Sequence, residues 1–366
     1  MATNTALKVI KPTSPKILRT VFLYTGQGDS TIVAVPTGDG ADDYEYILVD
    51  ADLDKEEDEV NLIAMLKDLL GDEKLPKYFN THPHKDHTGG IKEIYDEVGI
   101  IEVLHSNHRP TGEHAESFEE LEYVLDKVGE ENEFLLKGTN DLNKVRKHDD
   151  SELEKKIGLI DYQVFAPAEY VCEEIDEETE EVHYRRIHEQ CAVFKFTYGG
   201  KSILFTGDAN KAAWQDHITE YYADALKADV VNASHHGSRS TFKNGEDDEE
   251  PFKDHLDCID ADYLIVSAPK QKDSPHGHPH DDAMKIYKEY FAEESIYHLG
   301  ENPCCVIVDI DANGNLSITE DNQLIAAYGK KSEEDEEKKS NNKQETNKRA
   351  AVLTELASNA KPWQRG

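Results

Sequence analysis

The sequence predicts a mixed α/β layered domain. Short β-type runs follow one another directly near the start: KILRTVFLY (residues 16–24), STIVAVP (30–36) and YEYILVD (44–50). Later runs alternate with amphipathic stretches, so strands and helices share one layered domain rather than a purely parallel doubly wound sheet. No internal repeat interrupts the pattern.

The elements follow in order. EVNLIAMLKDLL (59–70) places Val60, Leu62, Ile63, Leu66 and Leu70 near one helical face. The strand KYF (77–79) leads into the loop NTHPHKDHTGG (80–90) and the helix IKEIYDEV (91–98). Then come the strand IIEVLHS (100–106), the helix SFEELEYVLDKV (117–128) and the strand YQVFAP (162–167). CAVFKFTYGGKSILFT (191–206) reads as a hairpin turning at Gly199-Gly200. The strands ADVVNAS (228–234) and ADYLIVSA (261–268), the helix DDAMKIYKEYF (281–291) and the strand CCVIVDID (304–311) complete the domain.

Residues 1–15 are expected to be a flexible leader, and residues 16–328 the folded domain. Residues 172–186 (CEEIDEETEEVHYRR) form an acidic insertion before the hairpin. Residues 329–348 carry a low-complexity charged linker, expected to be disordered. Helix-formers return in residues 349–366, as a short helix that either docks on a protein partner or packs on its own domain.

Composition narrows the functional classes. No apolar run approaches the about 20 residues needed to cross a bilayer, and the start lacks a signal-type apolar core. The five cysteines form no C-x-x-C pair and are odd in number. Both features point to reduced thiols in a cytoplasmic protein. The formal charge of −36 puts non-specific binding to nucleic acid at a disadvantage and otherwise reads as solubility or salt adaptation.

Metal chemistry is concentrated in residues 80–90. Imidazole and carboxylate suit zinc or manganese. His82 and His84 are alternate residues of an extended segment, so both rings face one ion. Asp86 and His87 turn onto the next helix and reach a second. Asp208 ends SILFTGD, falls opposite Cys191 across the hairpin, and is suited to bridge two cations. His188 is either a ligand of the first ion or a solvated residue of the acidic run; His183 is a weaker competitor. Within HGHPH, His278 is expected to close the second site, with His276 and His280 solvated. Asp50 is placed to orient a ligand from behind. In ASHHGSRST, His235 or His236 protonates a leaving oxygen, binds a phosphate oxygen or completes the metal shell, and Arg239 neutralises a phosphoryl group.

His82-x-His84-x-Asp86-His87, Asp208 and a late histidine together resemble the metallo-β-lactamase superfamily. YTGQGDST, ILVDAD, LFTGDA, SHHGS and GHPH further resemble the motifs of ComEC-type competence nuclease domains and their free-standing relatives, over about residues 16–321. The resemblance implies a four-layer αββα sandwich with a dinuclear site along one edge. It also implies a hydrolase of phosphoesters rather than of β-lactams. Carried over, His82 and His84 hold the first metal, Asp86, His87 and His278 the second, and Asp208 lies between them. His235 or His236 stands beside the substrate. Two departures stand out. His188-Glu189-Gln190-Cys191 occupies the place of an asparagine-serine segment, and the membrane segments of ComEC are absent, so a role in DNA uptake does not follow.

The chemistry expected is attack by water on a phosphodiester, activated between two divalent cations of zinc or manganese, with Asp86 or Asp208 holding the water's remaining proton. The substrate is nucleic acid, or a small or cyclic nucleotide that would escape repulsion by the acidic chain. A third expectation is a component governed by a protein partner bound through residues 349–366.

Overall fold

The computed structural model of the chain describes residues 4–53, 59–109, 115–171 and 187–329. The acidic insertion with His183, the charged linker beyond residue 329 and the C-terminal peptide lie outside the described residues. In chain order the strands of the first part are β1 (Ile17–Phe22), β2 (Thr31–Pro36), β3 (Tyr44–Val49), β4 (Ala51–Asp52), β5 (Leu75–Asn80) and β6 (Ile100–His105). Short strands follow at β7 (Glu133–Leu135), β8 (Lys144–Arg146) and β9 (Glu152–Glu154). The second part holds β10 (Asp161–Ala166), β11 (Val193–Tyr198), β12 (Lys201–Phe205), β13 (Val230–Asn232), β14 (Tyr263–Val266) and β15 (Ile296–His298). Strands β16 (Cys305–Asp311) and β17 (Leu316–Asp321) return to the first sheet.

These strands make a ten-stranded sheet, β17-β16-β1-β2-β3-β5-β6-β7-β8-β9, and a six-stranded sheet, β10-β11-β12-β13-β14-β15. The first is antiparallel at both sides around a parallel middle, and the second is antiparallel at one side and parallel at the other. The parallel pairs are β3–β5, β5–β6 and β6–β7 in the first sheet. In the second they are β12–β13, β13–β14 and β14–β15.

Three apolar interfaces separate four layers. Between the sheets, Val33, Val35 and Phe79 from one side meet Phe194, Phe196 and Ile203 from the other. The rings of Phe194 and Phe205 stack at 5.0 Å, and Phe79 meets Phe196 edge-on at 5.6 Å, both favourable aromatic geometries. The outer face of the first sheet is covered by helix Leu62–Leu70, through Leu62, Met65 and Leu66. The outer face of the second is covered by Trp214, Ile286 and Tyr287. This is the αββα sandwich.

The leader expectation needs correction. Thr5–Ile10 is helical, with Ala6, Val9 and Ile10 buried. Their three-to-four-residue spacing gives one apolar face, and the Asn4 side chain caps the first turn by accepting from Leu7 N–H at 2.8 Å. The hairpin turns as expected, with Tyr198 opposite Lys201 and both glycines at positive φ (58° and 81°).

Parallel strands of both sheets release their carboxyl ends at one edge. Asp50 follows β3, the histidine loop follows β5, Asp208 follows β12, and His235 and His236 follow β13. Loops at strand carboxyl ends are where α/β sheets place ligands.

Candidate metal centre

Asp208 lies at the middle of the site. Its backbone N–H donates to Cys191 Sγ at 3.0 Å, the cross-hairpin neighbour. The preceding Gly207, at φ 45°, lies so close to Cys191 that a Cβ would come within 2.4 Å of the sulfur. Only glycine can bring the strand exit this near. The two carboxylate oxygens then face different histidines. Oδ2 lies 3.5 Å from His82 Nε2, 4.0 Å from His188 Nε2 and 3.4 Å from His235 Nε2. Oδ1 lies 3.1 Å from His87 Nε2 and 3.6 Å from His236 Nε2.

Two sets of four result, each with one ligand atom per residue and all atoms within 4.8 Å of one another: His82, His84, His188 and Asp208, then Asp86, His87, Asp208 and His236. His188 therefore joins the first set despite its place beside the acidic run. The second place given to His278 on sequence grounds is filled by His236, whose Nε2 lies 3.5 Å from Asp86 Oδ2. The reason is backbone conformation: His235 and His236 both adopt left-handed φ (52° and 54°). The sharp turn drives His236 inward and leaves His235 at the rim, beside His188 at 4.4 Å between rings. Such conformations cost about 1–3 kcal/mol each for non-glycine residues and concentrate at functional sites.

Hydrogen bonds behind the site fix the ring orientations. Asp50 Oδ2 receives His87 Nδ1–H at 2.8 Å, and the carbonyl of Ser267 receives His236 Nδ1–H at 2.9 Å. The Nε2 atoms of these two rings consequently present lone pairs to each other at 3.1 Å. That arrangement is repulsive unless a cation or proton lies at hand. His82 Nε2 and Asp208 Oδ1 are buried with no hydrogen bond among the described residues, which is costly in a protein interior. Orphaned acceptors converging on one carboxylate fit divalent cations held by imidazole and carboxylate.

Electrostatics agree. Burial, reinforced by His87, lowers His82 to about 4, the neutral form that can ligate. Burial would lower His87 and raise Asp208, yet Asp208 and Asp50 prevail to hold His87 high, and His235, His87 and His236 prevail to hold Asp208 low. His236 is raised to about 9, the nearby Asp208 and Asp29 outweighing burial. The carboxylates thus demand positive charge, which cations supply as the rings release their protons.

The remaining candidates are placed as follows. Arg239, expected at a substrate phosphate, is engaged by Glu246 and by Asp282 at 3.4 Å. His278 is buried and bonds to Gln27; His276 is exposed. Sequence reasoning missed the parts played by Thr81, Gln27 and Ser267. Thr81 binds Asp50 through its N–H at 2.7 Å and its hydroxyl at 2.6 Å. Only its position one residue before the histidine pair hinted at this. A third cluster, His105, Glu133 and His148, lies apart on the first sheet.

The metallo-beta-lactamase superfamily profile matches residues 45–244, over half of the chain, and the chain belongs to that superfamily. Similar solved structures include a metallohydrolase, Igni18, from the archaeon Ignicoccus hospitalis (13% identity, 83% of this chain and 100% of that one, TM-score 0.39). They also include CmlA, a diiron β-hydroxylase from Streptomyces venezuelae (13%, 82% and 55%, TM-score 0.42). A third is zinc-bound PqqB from Methylobacterium extorquens (10%, 76% and 97%, TM-score 0.38). No curated protein sequence gives a significant match. No helix among the described residues is long and apolar enough to cross a membrane.

Proposed function

We propose that the chain is a dinuclear metal-dependent phosphodiesterase of the ComEC-type branch, with nucleic acid as its first substrate class. The observation that carries this is the division of Asp208, one oxygen facing each four-residue ligand set. His82, His84 and His188 would hold one cation; Asp86, His87 and His236 the other. Two such cations would activate water and take up the charge developing on a phosphoryl group. The protein's own residues orient and exclude. Asp50 and Ser267 keep the second set's rings turned inward. His235, at the rim with Nδ1 2.9 Å from Ser240 Oγ, is placed to meet a substrate oxygen.

One observation favours a second substrate class, small or cyclic nucleotides. Arg239 and Lys243, cations in the segment that follows His235 and His236, are drawn onto Asp282, the lysine at 3.5 Å. A small nucleotide needs only the pocket.

The test compares wild type with His82→Ala/Asp208→Ala for metal content and for cleavage of bis-p-nitrophenyl phosphate, plasmid DNA and cyclic nucleotides, with zinc or manganese added. The expected result is about two metals per chain and hydrolysis lost in the variant. A wild type that binds both metals and cleaves none of these diesters would overturn it.

A further inference from the structure

A chain of hydrogen bonds outside both ligand sets fixes the chemistry of His278. The backbone N–H groups of His276 and His278 donate to Ser274 Oγ at 3.2 and 2.9 Å. Both lone pairs of that hydroxyl are then in use, so Ser274 can only donate to its remaining neighbour. It does so to Gln27 Oε1, at 2.6 Å. This sets the amide's orientation: its NH2 faces the histidine, and Nε2 donates to His278 Nδ1 at 3.1 Å. An accepting ring nitrogen carries no proton, so the imidazole proton of His278 sits on Nε2.

The position of the ring matches this. It lies 5.3 Å from the His235 ring and 6.0 Å from that of His236, beside the centre. Its Nε2 makes no hydrogen bond among the described residues, Gln27 being the ring's partner. A metal ligand at that nitrogen would need the opposite tautomer, a lone pair on Nε2 and a proton on Nδ1.

We propose that Gln27, clamped by Ser274, is a positioning residue that holds His278 as an Nε2–H donor to an anionic oxygen of the substrate, a role that rests on the hydrolytic function proposed above. Gln27 acts through His278 alone. It keeps that histidine out of the ligand set and commits it to the bound phosphate.

Gln27→Glu is nearly isosteric and tests this directly. A carboxylate accepts where the amide donated, so it draws the proton to Nδ1 and inverts the ring. In the zinc-loaded protein, nitrogen NMR of the His278 ring is expected to place the proton on Nε2 in wild type and on Nδ1 in the variant. Metal content is expected to stay the same, while kcat/KM for bis-p-nitrophenyl phosphate falls about ten- to hundredfold, the worth of a hydrogen bond to a charged group. Ser274→Ala, which frees the amide to rotate, is expected to show both tautomers and a smaller loss. A wild-type proton on Nδ1 would overturn the proposal, as would a Gln27→Glu protein that binds zinc more tightly with undiminished turnover, the behaviour of a ligand. If wild type cleaves no phosphodiester, the hydrolytic function fails, and the NMR result alone decides how Gln27 sets the ring.

Discussion

Asp50 shows how much one side chain behind the metal centre is asked to do. It sits at φ 53° and accepts from Thr81 N–H, the Thr81 hydroxyl, Asn80 Nδ2 (3.3 Å) and His87 Nδ1. Every lone-pair direction of the carboxylate is used. Asp50→Asn must turn an NH2 group toward a donor, loosening either the histidine loop or His87. The expected outcome is a loss of about ten- to hundredfold in affinity for the cation held by His87, read by competition with a chelator. Unchanged affinity would mean that His87 is oriented by packing alone. At this scale the sequence was informative where residues are neighbours and silent where they are not. His82, His84, Asp86 and His87 could be recognised from spacing. The exchange of His236 for His278 could not, because it depends on two left-handed residues and on Gln27, which lies 251 positions from His278.

Among the elements, the short helix Asp254–Ile259 carries a buried histidine that the metal centre does not use. His255 stacks on Trp214 at 4.9 Å and Phe252 at 5.6 Å, and among the described residues neither ring nitrogen has a hydrogen bond. Burial lowers its pKa from 6.5 to about 3. Between those values the unfolded chain binds a proton that the folded chain refuses, so stability is lost as pH falls below about 6.5. From pH 7 to pH 5 this residue is expected to cost about 2 kcal/mol. His255→Phe keeps the aromatic stack and removes the titration. Denaturant unfolding at both pH values should show the variant losing about 2 kcal/mol less than wild type; equal losses would refute burial as the cause. Neither this helix nor β7, β8, β9 and β15 was evident in the sequence. A run of three residues contains too little periodicity to distinguish strand from loop. The longer strands other than β17, whose apolar runs are flanked by turn residues, were legible, and so were the helices Leu62–Leu70, Ile91–Glu97, Ala115–Val128 and Asp281–Tyr290.

Across the whole molecule, the decisive quantity is charge. Asp and Glu number 76 against 40 Lys and Arg, for a formal −36. The sequence showed that imbalance but not where the cations are spent; the fold reveals it through Arg239 and Lys243, both turned to Asp282. A protein that binds nucleic acid through a basic track releases counterions, and its binding weakens steeply as salt rises. Here the long-range field is repulsive to a polyanion, and screening it should help. Raising salt from about 50 to about 200 mM is therefore expected to increase kcat/KM for plasmid DNA. Bis-p-nitrophenyl phosphate, a small monoanion whose capture depends on the pocket, should change little by comparison. Steady-state rates for both substrates in the same buffers measure the contrast. A steep fall for DNA would reveal a local basic path strong enough to overcome the acidic surface and would favour polynucleotides. A rise for DNA beside a flat small-substrate rate would identify repulsion as the barrier and favour the small nucleotide that the engaged arginine and lysine already suggest.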